Sequence, residues 1–436
     1  VVMAEKKGVG IAGLGAVGAS LVRLLSSPSA QISSALGPSV VDHLSVTGIS
    51  ARSKGKDRGF DESAFAWFDD PVALATAPST DIFVELMGGA DGPALDAVTA
   101  ALNRGKHVVT ANKAMLAKHG LTLAKRAEEK GVSLSFEAAV AGAIPIIRTL
   151  KTATGPCAVT SVTGILNGTC NYILSEMETK GLDFAQALAE AQAKGFAEAD
   201  PALDVGGGDA AQKLKLLAAL GFQCWPASFF ADGVSDPRVE GIAGVSASHS
   251  QYATELGYRI RLLGMAHKAP GLDAPAALEV APFLVPVDHG FAHTVGPENM
   301  VIVAADPLGT LSLSGPGAGG DPTASAVAAD LAALTHAQSP FTFTVPATTL
   351  EIVEPLPSPG STAIKAMLSP APGHDEVFEA HHLHPTLANS GISVVSKSKD
   401  GLAVMTGPIT RNSLDDVLAA MAAAGTPMTA LRIADI

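Results

Sequence analysis

Charged side chains are scarce in this 436-residue chain: Asp, Glu, Lys and Arg make up 16% of it, and 29 basic residues face 42 acidic ones. The formal net charge of −13 argues against nucleic acid and anionic membrane surfaces as partners, because neither attracts an acidic protein. Cysteine occurs three times, as Cys157, Cys170 and Cys224. That is no disulfide framework for so long a chain, and it predicts a reducing, cytoplasmic compartment. No uninterrupted apolar run reaches the length that spans a bilayer. The opening VVMAEKK is too short and polar to read as a secretory signal. Hydrophobic residues, by contrast, supply 47% of the chain, ample for sizeable cores. At roughly 150 residues per domain the length predicts two or three domains.

The first 150 residues alternate apolar, β-branched runs with helical stretches. VGIAGLG, LSVTGISA, DIFVELM, HVVTA and VSLSFEAAV read as strands, with ASLVRLLSS, ALDAVTAALNRG and GLTLAKRAEEKG as helices between them. That alternation predicts an α/β fold with a parallel, Rossmann-type sheet. Beyond residue 155, SVTGILN, LEVAPFLV and NMVIVAADPLGTLSLSG read as longer strands, and FAQALAEAQAKG and AAQKLKLLAALG as helices. The expected domains are 1–153, an α/β domain; 154–320, an α+β domain with a mixed sheet; and 355–436. The seam EPLPSPGST at 354–362 reads as a linker. After it come a strand in TAIKAML, a helix over DEVFEAHHLHPTLANSG, a hairpin turning at Lys399-Asp400-Gly401, a helix capped by Ser413 and a last strand, MTALRIAD. This βαββαβ order predicts a ferredoxin-like module.

Gly13-x-Gly15-x-x-Gly18 follows the first expected strand and opens a helix. Glycines there permit a tight turn and let a pyrophosphate approach the free N–H groups of the helix N-terminus. The second strand ends in Arg52-Ser53-Lys54-Gly55-Lys56, where an NAD site usually carries an acid. Basic residues suit the 2′-phosphate of NADP; a merely solvated basic turn is the alternative.

The most crowded stretch is GFAEADPALDVGGGDAAQKLKLLA, with Glu198, Asp200, Asp204 and Asp209 ahead of Lys213. The spacing does not match the alternating oxygen ligands of a calcium loop, and no His or Cys lies nearby. Grouped carboxylates suit an ammonium group instead. Lys213, four residues after Asp209, shares a helix face with it. Such a lysine can exchange a proton with a reacting oxygen; a routine surface ion pair fits the spacing as well.

GLGAVG at 13–18, VVTANKAMLA at 108–117, FEAAVAGAIPIIR at 136–148, GILNGTCNYIL at 164–174, FAEADPALDVGGGDAAQKLKLLA at 196–218 and GPGAGGDPTASAV at 315–327 together resemble homoserine dehydrogenases, in family order. The resemblance implies NAD(P)-dependent interconversion of L-homoserine and L-aspartate 4-semialdehyde in threonine, methionine and isoleucine biosynthesis. It implies Lys213 as proton donor, Lys113 as a second lysine near substrate and nicotinamide, and Asp209 beside the catalytic lysine. Glu198 and Asp204 are implied to face the substrate amino group, and Thr169 its polar end. Implied cofactor contacts are Gly13, Gly15, Ala16, Val17, Gly18, Arg52, Lys54, Gly88, Lys113 and Gly317. Backbone carbonyls of Glu137, Val140, Gly142 and Ile144 are implied to bind sodium or another monovalent cation. The same resemblance implies that 1–153 binds the dinucleotide and is closed by a segment returning near 321–350, that 154–320 is the catalytic and dimerisation domain of a homodimer or homotetramer, and that 355–436 is an ACT-like module with an effector such as threonine. Phe196, Cys170 and Ala143 depart from the common Tyr, Thr and Gly.

Two rival readings differ in chemistry. A phosphorylating aldehyde dehydrogenase needs an activated cysteine beside a histidine, whereas Cys170 and Cys224 sit in apolar, helix-like settings. A catalytically decayed NADP-binding sensor would not be expected to keep every polar position of the set. His381, His382 and His384 point in different directions in helical phase and suit a solvated helix end better than a metal site.

Overall fold

The structure, a computed structural model, describes residues 6–26, 43–233, 235–268, 276–335, 341–356, 365–372, 374, 386–388, 390, 392–424, 426–434 and 436. The first sheet is built from β1 (Lys7–Ala12), β2 (Leu44–Ser50), β3 (Ala66–Phe68), β4 (Ile82–Glu85), β5 (His107–Thr110) and β6 (Leu134–Ser135). Its order is β3-β2-β1-β4-β5-β6 and every pairing is parallel. Strands of such a sheet are covered on both faces, so they read as continuous apolar runs rather than alternations. All of β4, IFVE, is buried accordingly. The crossover helices Ala16–Ser26, Pro93–Asn103 and Lys113–Glu129 start on recognisable signals. Pro93 needs no N–H in the first turn, and the Asn112 side chain accepts from Met115 N.

Downstream strands are β7 (Ala158–Ile165), β8 (Cys224–Pro226), β9 (Tyr258–Lys268), β10 (Ala276–Pro286), β11 (Glu298–Asp306), β12 (Gly309–Pro316) and β13 (Glu351–Val353). A five-stranded sheet follows the order β10-β9-β7-β11-β12, with β9 antiparallel to both β10 and β7. The last sheet joins β14 (Ala366–Pro370), β15 (Val394–Lys397), β16 (Val404–Thr406) and β17 (Met428–Arg432) in the order β15-β16-β14-β17, with its pairings antiparallel. The protein is therefore an α/β chain with one parallel Rossmann-type sheet and separate antiparallel pairings.

By internal contacts the chain divides into two units. The first comprises residues 1–160, 215–233 and 304–353. Its core gathers Val9, Ile11, Leu21, Val84 and Val109 with Ala324, Val327 and Leu331 of the Gly320–Ala333 helix. The second comprises 161–214, 234–303 and 354–436. One of its cores packs Ile165, Leu263, Phe283 and Phe291 together with Ala434; another joins Ala366, Leu368 and Val404 to Leu414, Val417 and Met421 of the Arg411–Ala423 helix. Arg432 closes on the carboxylate of Glu279 with two hydrogen bonds, 2.9 and 2.5 Å, and Ala434 N donates to Leu284 O at 2.9 Å. Within the second unit the C-terminal strand is thus tied directly to β10.

Several expectations need correction. VSLSFEAAV is not one strand: only Leu134–Ser135 pairs, and Glu137–Ala139 forms a 3-10 turn. The turn exists because buried Glu137 folds back to accept from Ile147 N and Arg148 N. NMVIVAADPLGTLSLSG is two strands, broken before Gly309, whose φ of 81° suits glycine. SVTGILN stops pairing at Ile165, since Asn167 caps the next helix. The Ser413 cap is displaced: Thr410 caps the Arg411–Ala423 helix, accepting from Ser413 N. The expected helix over 375–391 lies mostly outside the described residues, as do the histidines at 381, 382 and 384 and residues 357–362 of the linker. Among the described residues no helix is long and apolar enough to cross a membrane.

Candidate active site

In the first unit the glycine loop is shaped by close approach. A Cβ on Gly13, at φ 96°, would lie 2.4 Å from the Leu86 carbonyl, and one on Gly18 would lie 1.9 Å from Gly13 O. At Gly15 the same atom would meet nothing within 4 Å. The loop is therefore rigid on two sides and open on the third, with Ala16 and Val17 starting the helix, as a pyrophosphate cradle requires. Gly88, exposed at φ 80°, lies on the loop after β4. That loop is held from below by fully buried Glu85, whose carboxylate accepts from Met87 N (2.7 Å), Gly88 N (3.1 Å) and Thr110 Oγ1 (2.6 Å).

Arg52 is exposed, while the Lys54 ammonium lies 5.7 Å from the centre of the Trp67 ring. Sequence reasoning passed over Arg58. Its guanidinium donates to Leu14 O in the glycine loop (3.2 Å), to Ser53 O in the basic turn (2.7 Å) and to Glu62, whose other oxygen accepts from Gly55 N at 2.8 Å. One side chain thus fixes the basic turn relative to the cradle. Half-buried Lys113 is the first residue of its helix, directly after β5 and the capping Asn112.

The segment 137–144 contains two successive left-handed residues, Ala141 (φ 56°) and Gly142 (φ 58°). A Cβ on Gly142 would lie 2.6 Å from buried Gly317. The Glu137 and Ile144 carbonyls each accept one backbone N–H, from Val140 and Ile146; among the described residues those of Val140 and Gly142 accept none. Oxygens left unbonded in a strained, buried turn fit a hard monovalent cation. Beside them, burial first and the neighbouring Asp330 second push Glu137 up to about 7, and burial pushes Asp330 up to about 6. Among the described residues no cluster of His, Cys, Asp and Glu is arranged to hold a metal ion.

The second unit assembles the acid cluster around an asparagine. Asn167 caps the Gly168–Lys180 helix, its Oδ1 accepting from Cys170 N at 2.7 Å. Its Nδ2 donates to Asp204 Oδ1 and to Asp209 Oδ2, both at 2.8 Å. Asp209 Oδ2 also accepts from Lys213 Nζ (2.7 Å), as the spacing on the Gly208–Gly221 helix anticipates, and that ammonium donates to Leu166 O (2.7 Å). Lys213 and Asp209 are both buried, so this is no routine surface pair. Fully buried Asn299 donates to the same Leu166 carbonyl at 3.2 Å.

The other predicted positions are more exposed. Thr169 donates its hydroxyl to Phe196 O (2.7 Å). Phe196 is 40% exposed, with its ring 4.8 Å from that of Tyr172. The Glu198 side chain is exposed, and its carbonyl accepts from Gln192 Nε2 at 3.1 Å. Asp200 merely caps Ala202 N. Buried Cys170 donates to Asp204 O at 3.2 Å, and burial, then the Asp204 charge, raises its pKa well above the ordinary thiol value. It is no nucleophile. Structure thus brings Asp204, Asp209 and Lys213 together through Asn167, which sequence reasoning did not single out.

Comparison with known proteins follows the same lines. The family profile described as homoserine dehydrogenase matches residues 145–332, and that described as homoserine dehydrogenase, NAD binding domain matches 13–137. A homoserine dehydrogenase of Synechocystis is 41% identical over 324 residues, 74% of this chain and 72% of that one. The solved homoserine dehydrogenase of Thiobacillus denitrificans is 33% identical with a TM-score of 0.84, covering 99% of each chain. That of S. aureus, 29% identical with a TM-score of 0.72, covers 99% of this chain and 100% of its own.

Proposed function

Because this chain belongs to the homoserine dehydrogenase family, whose members are oxidoreductases with a dinucleotide-binding domain, we propose that it interconverts L-aspartate 4-semialdehyde and L-homoserine with Lys213 as the proton donor. The observation that carries the assignment is the setting of the lysine. A protonated lysine has three N–H donors, and Asp209 and Leu166 O engage two of them. The third is available to a carbonyl oxygen that becomes an alkoxide on reduction. Asp209 and Leu166 O hold the ammonium in place, so that its remaining N–H is positioned to pass a proton to that oxygen. The nicotinamide, when bound, supplies or takes the hydride.

Two carboxylates and one ammonium leave the Asn167 cluster with one net negative charge. That suits the α-ammonium of the amino-acid substrate, with exposed Glu198 adding to the attraction. Since the Thr169 hydrogen is already donated to Phe196, its oxygen offers only lone pairs, which fits an ammonium or hydroxyl rather than a carboxylate. Gly168 N and Thr169 N, at the start of a long helix, suit the substrate carboxylate.

Arg52 and Lys54 favour NADP over NAD; the cradle at 13–18, Gly88, Lys113 and Gly317 are its contacts. The carbonyls at 137, 140, 142 and 144 hold sodium or a similar cation. The β15-β16-β14-β17 order is that of a ferredoxin-like sheet, which supports an ACT-like module at 355–436 responding to an amino acid such as threonine. A homodimer or homotetramer in the cytoplasm completes the proposal.

The test is spectrophotometric: homoserine-dependent NADP reduction at alkaline pH, repeated with NAD, with threonine, and in sodium- and potassium-free buffer. Turnover with a higher kcat/KM for NADP is expected. No turnover by a folded, NADP-binding protein would overturn the reading.

A further inference from the structure

We infer that Asn167 is a positioning residue that joins the ammonium-binding acid and the lysine-pairing acid into one unit, so that substrate binding and the placing of Lys213 depend on each other. The inference rests on the function proposed above for Lys213 and Asp204.

Asn167 is 5% exposed. Its amide cannot be turned over, because Oδ1 is committed to Cys170 N and a flipped NH2 would face that N–H. Both hydrogens of Nδ2 therefore point at carboxylates, Asp204 and Asp209, which sit ~5 Å apart on opposite sides of one nitrogen. The chain between them is equally constrained. A Cβ on Gly206 would lie 2.7 Å from Ala202 O, and Gly207 has a φ of 83°. Cys170 holds the Asp204 carbonyl from the other side.

Helix capping alone does not explain an asparagine here. Serine, threonine or aspartate would cap the helix equally well. Serine has a single hydroxyl hydrogen and cannot bridge two acids; aspartate would bring a third negative charge. A lysine or arginine would bridge them but cancel the charge the substrate ammonium needs. Only a neutral group with two N–H donors holds two anions together and leaves their charge intact. Asp209 Oδ2 is shared between this amide and Lys213, so a change at Asp204 reaches the lysine through one side chain.

The experiment compares full-length wild type with Asn167→Ser, which keeps the cap, and Asn167→Asp, which keeps cap and size. Steady-state homoserine oxidation with NADP is followed from pH 6 to 10, alongside NADPH affinity by fluorescence and the melting temperature. Asn167→Ser is expected to lower kcat/KM for homoserine at least about tenfold, the loss of charge-assisted hydrogen bonds. The acid limb of its pH profile should move to higher pH, since donors that favour the ionised carboxylates are gone. NADPH affinity should stay within about twofold. Asn167→Asp should be weaker still, and most so at alkaline pH. Wild-type KM, kcat and pH profile in Asn167→Ser would overturn this inference alone, whereas absence of wild-type turnover would overturn the reading of the whole site.

Discussion

Replacing Asp330 by asparagine should make the protein relatively more stable as pH rises, by an amount the structure sets. Asp330 is 7% exposed and accepts from Glu137 N at 2.8 Å; its nearest cation, Arg148, stands 3.6 Å away, too far for a hydrogen bond. Burial therefore dominates, and the carboxyl is pushed from 3.8 up to about 6. An acid whose folded pKa lies above its unfolded value binds its proton more tightly when folded. The stability it contributes is complete below pH 3.8 and is lost as pH climbs through about 6. A displacement of roughly two units is worth ~3 kcal/mol by pH 8. The amide introduced by Asp330→Asn keeps an acceptor for Glu137 N, cannot ionise, and removes a like charge from Glu137, itself raised to about 7. The substitution costs something fixed for its unpaired NH2, ~1–3 kcal/mol, but the difference from wild type should shift by ~2 kcal/mol in the variant's favour between pH 4.5 and 8, because part of the ~3 kcal/mol is already lost between pH 3.8 and 4.5. Urea unfolding at constant ionic strength measures it. Trp67 and Trp225, the chain's two tryptophans, both lie in the first unit, so their fluorescence reports that unit. A difference that does not change with pH, or that moves against the variant, would refute the reasoning.

Two substitutions address the proposed chemistry. Lys213→Ala should lower kcat by ~10²–10⁴-fold, the usual range for losing a positioned proton donor, with NADP affinity unchanged by fluorescence titration; substantial residual turnover would remove the lysine from its role. Arg58→Leu cuts the link between Leu14 O, Ser53 O and Glu62. Steady-state kinetics should show the KM for NADP rising about tenfold or more while that for homoserine holds; a change confined to homoserine would contradict the cofactor-side placement.

Legibility in the sequence followed the physics of each part. The strands β1, β4 and β5 could be read because a sheet covered on both faces forces largely apolar, buried runs. The long strand β9 went unread because YRIRLLGMAHK carries Arg259 and Arg261, and Arg261 is buried with partners far off in sequence, Glu178 on another helix and the Ala292 carbonyl. VSLSFEAAV misled for the opposite reason: its one charge, Glu137, has its partners ten and eleven residues downstream. At the site, Asp209 and Lys213 were legible as a helical i,i+4 pair. Asn167 was not, since its partners lie 37 and 42 residues away, and neutral amides carry no pattern of their own. Arg58 and Glu85 escaped notice because they act on backbone carbonyls and amides, which every sequence possesses.

The Arg432–Glu279 contact also bears on the order in which the chain can finish folding. Glu279 is 7% exposed, and its charge is answered from residue 432, with Arg411 3.7 Å away. Before those residues emerge from the ribosome, a closed second unit would hold a buried carboxylate without its counter-ion, a penalty of ~3–5 kcal/mol, and the core around Phe283 would lack Ala434. The first unit likewise waits for residues 304–353. Neither half can be sealed during synthesis in the simple N-to-C sequence that multidomain chains usually follow. Vectorial translation therefore delivers a first unit that closes late and a second that closes last, and the acid cluster at residues 167–213 is held in waiting until both ends of its own unit have been made.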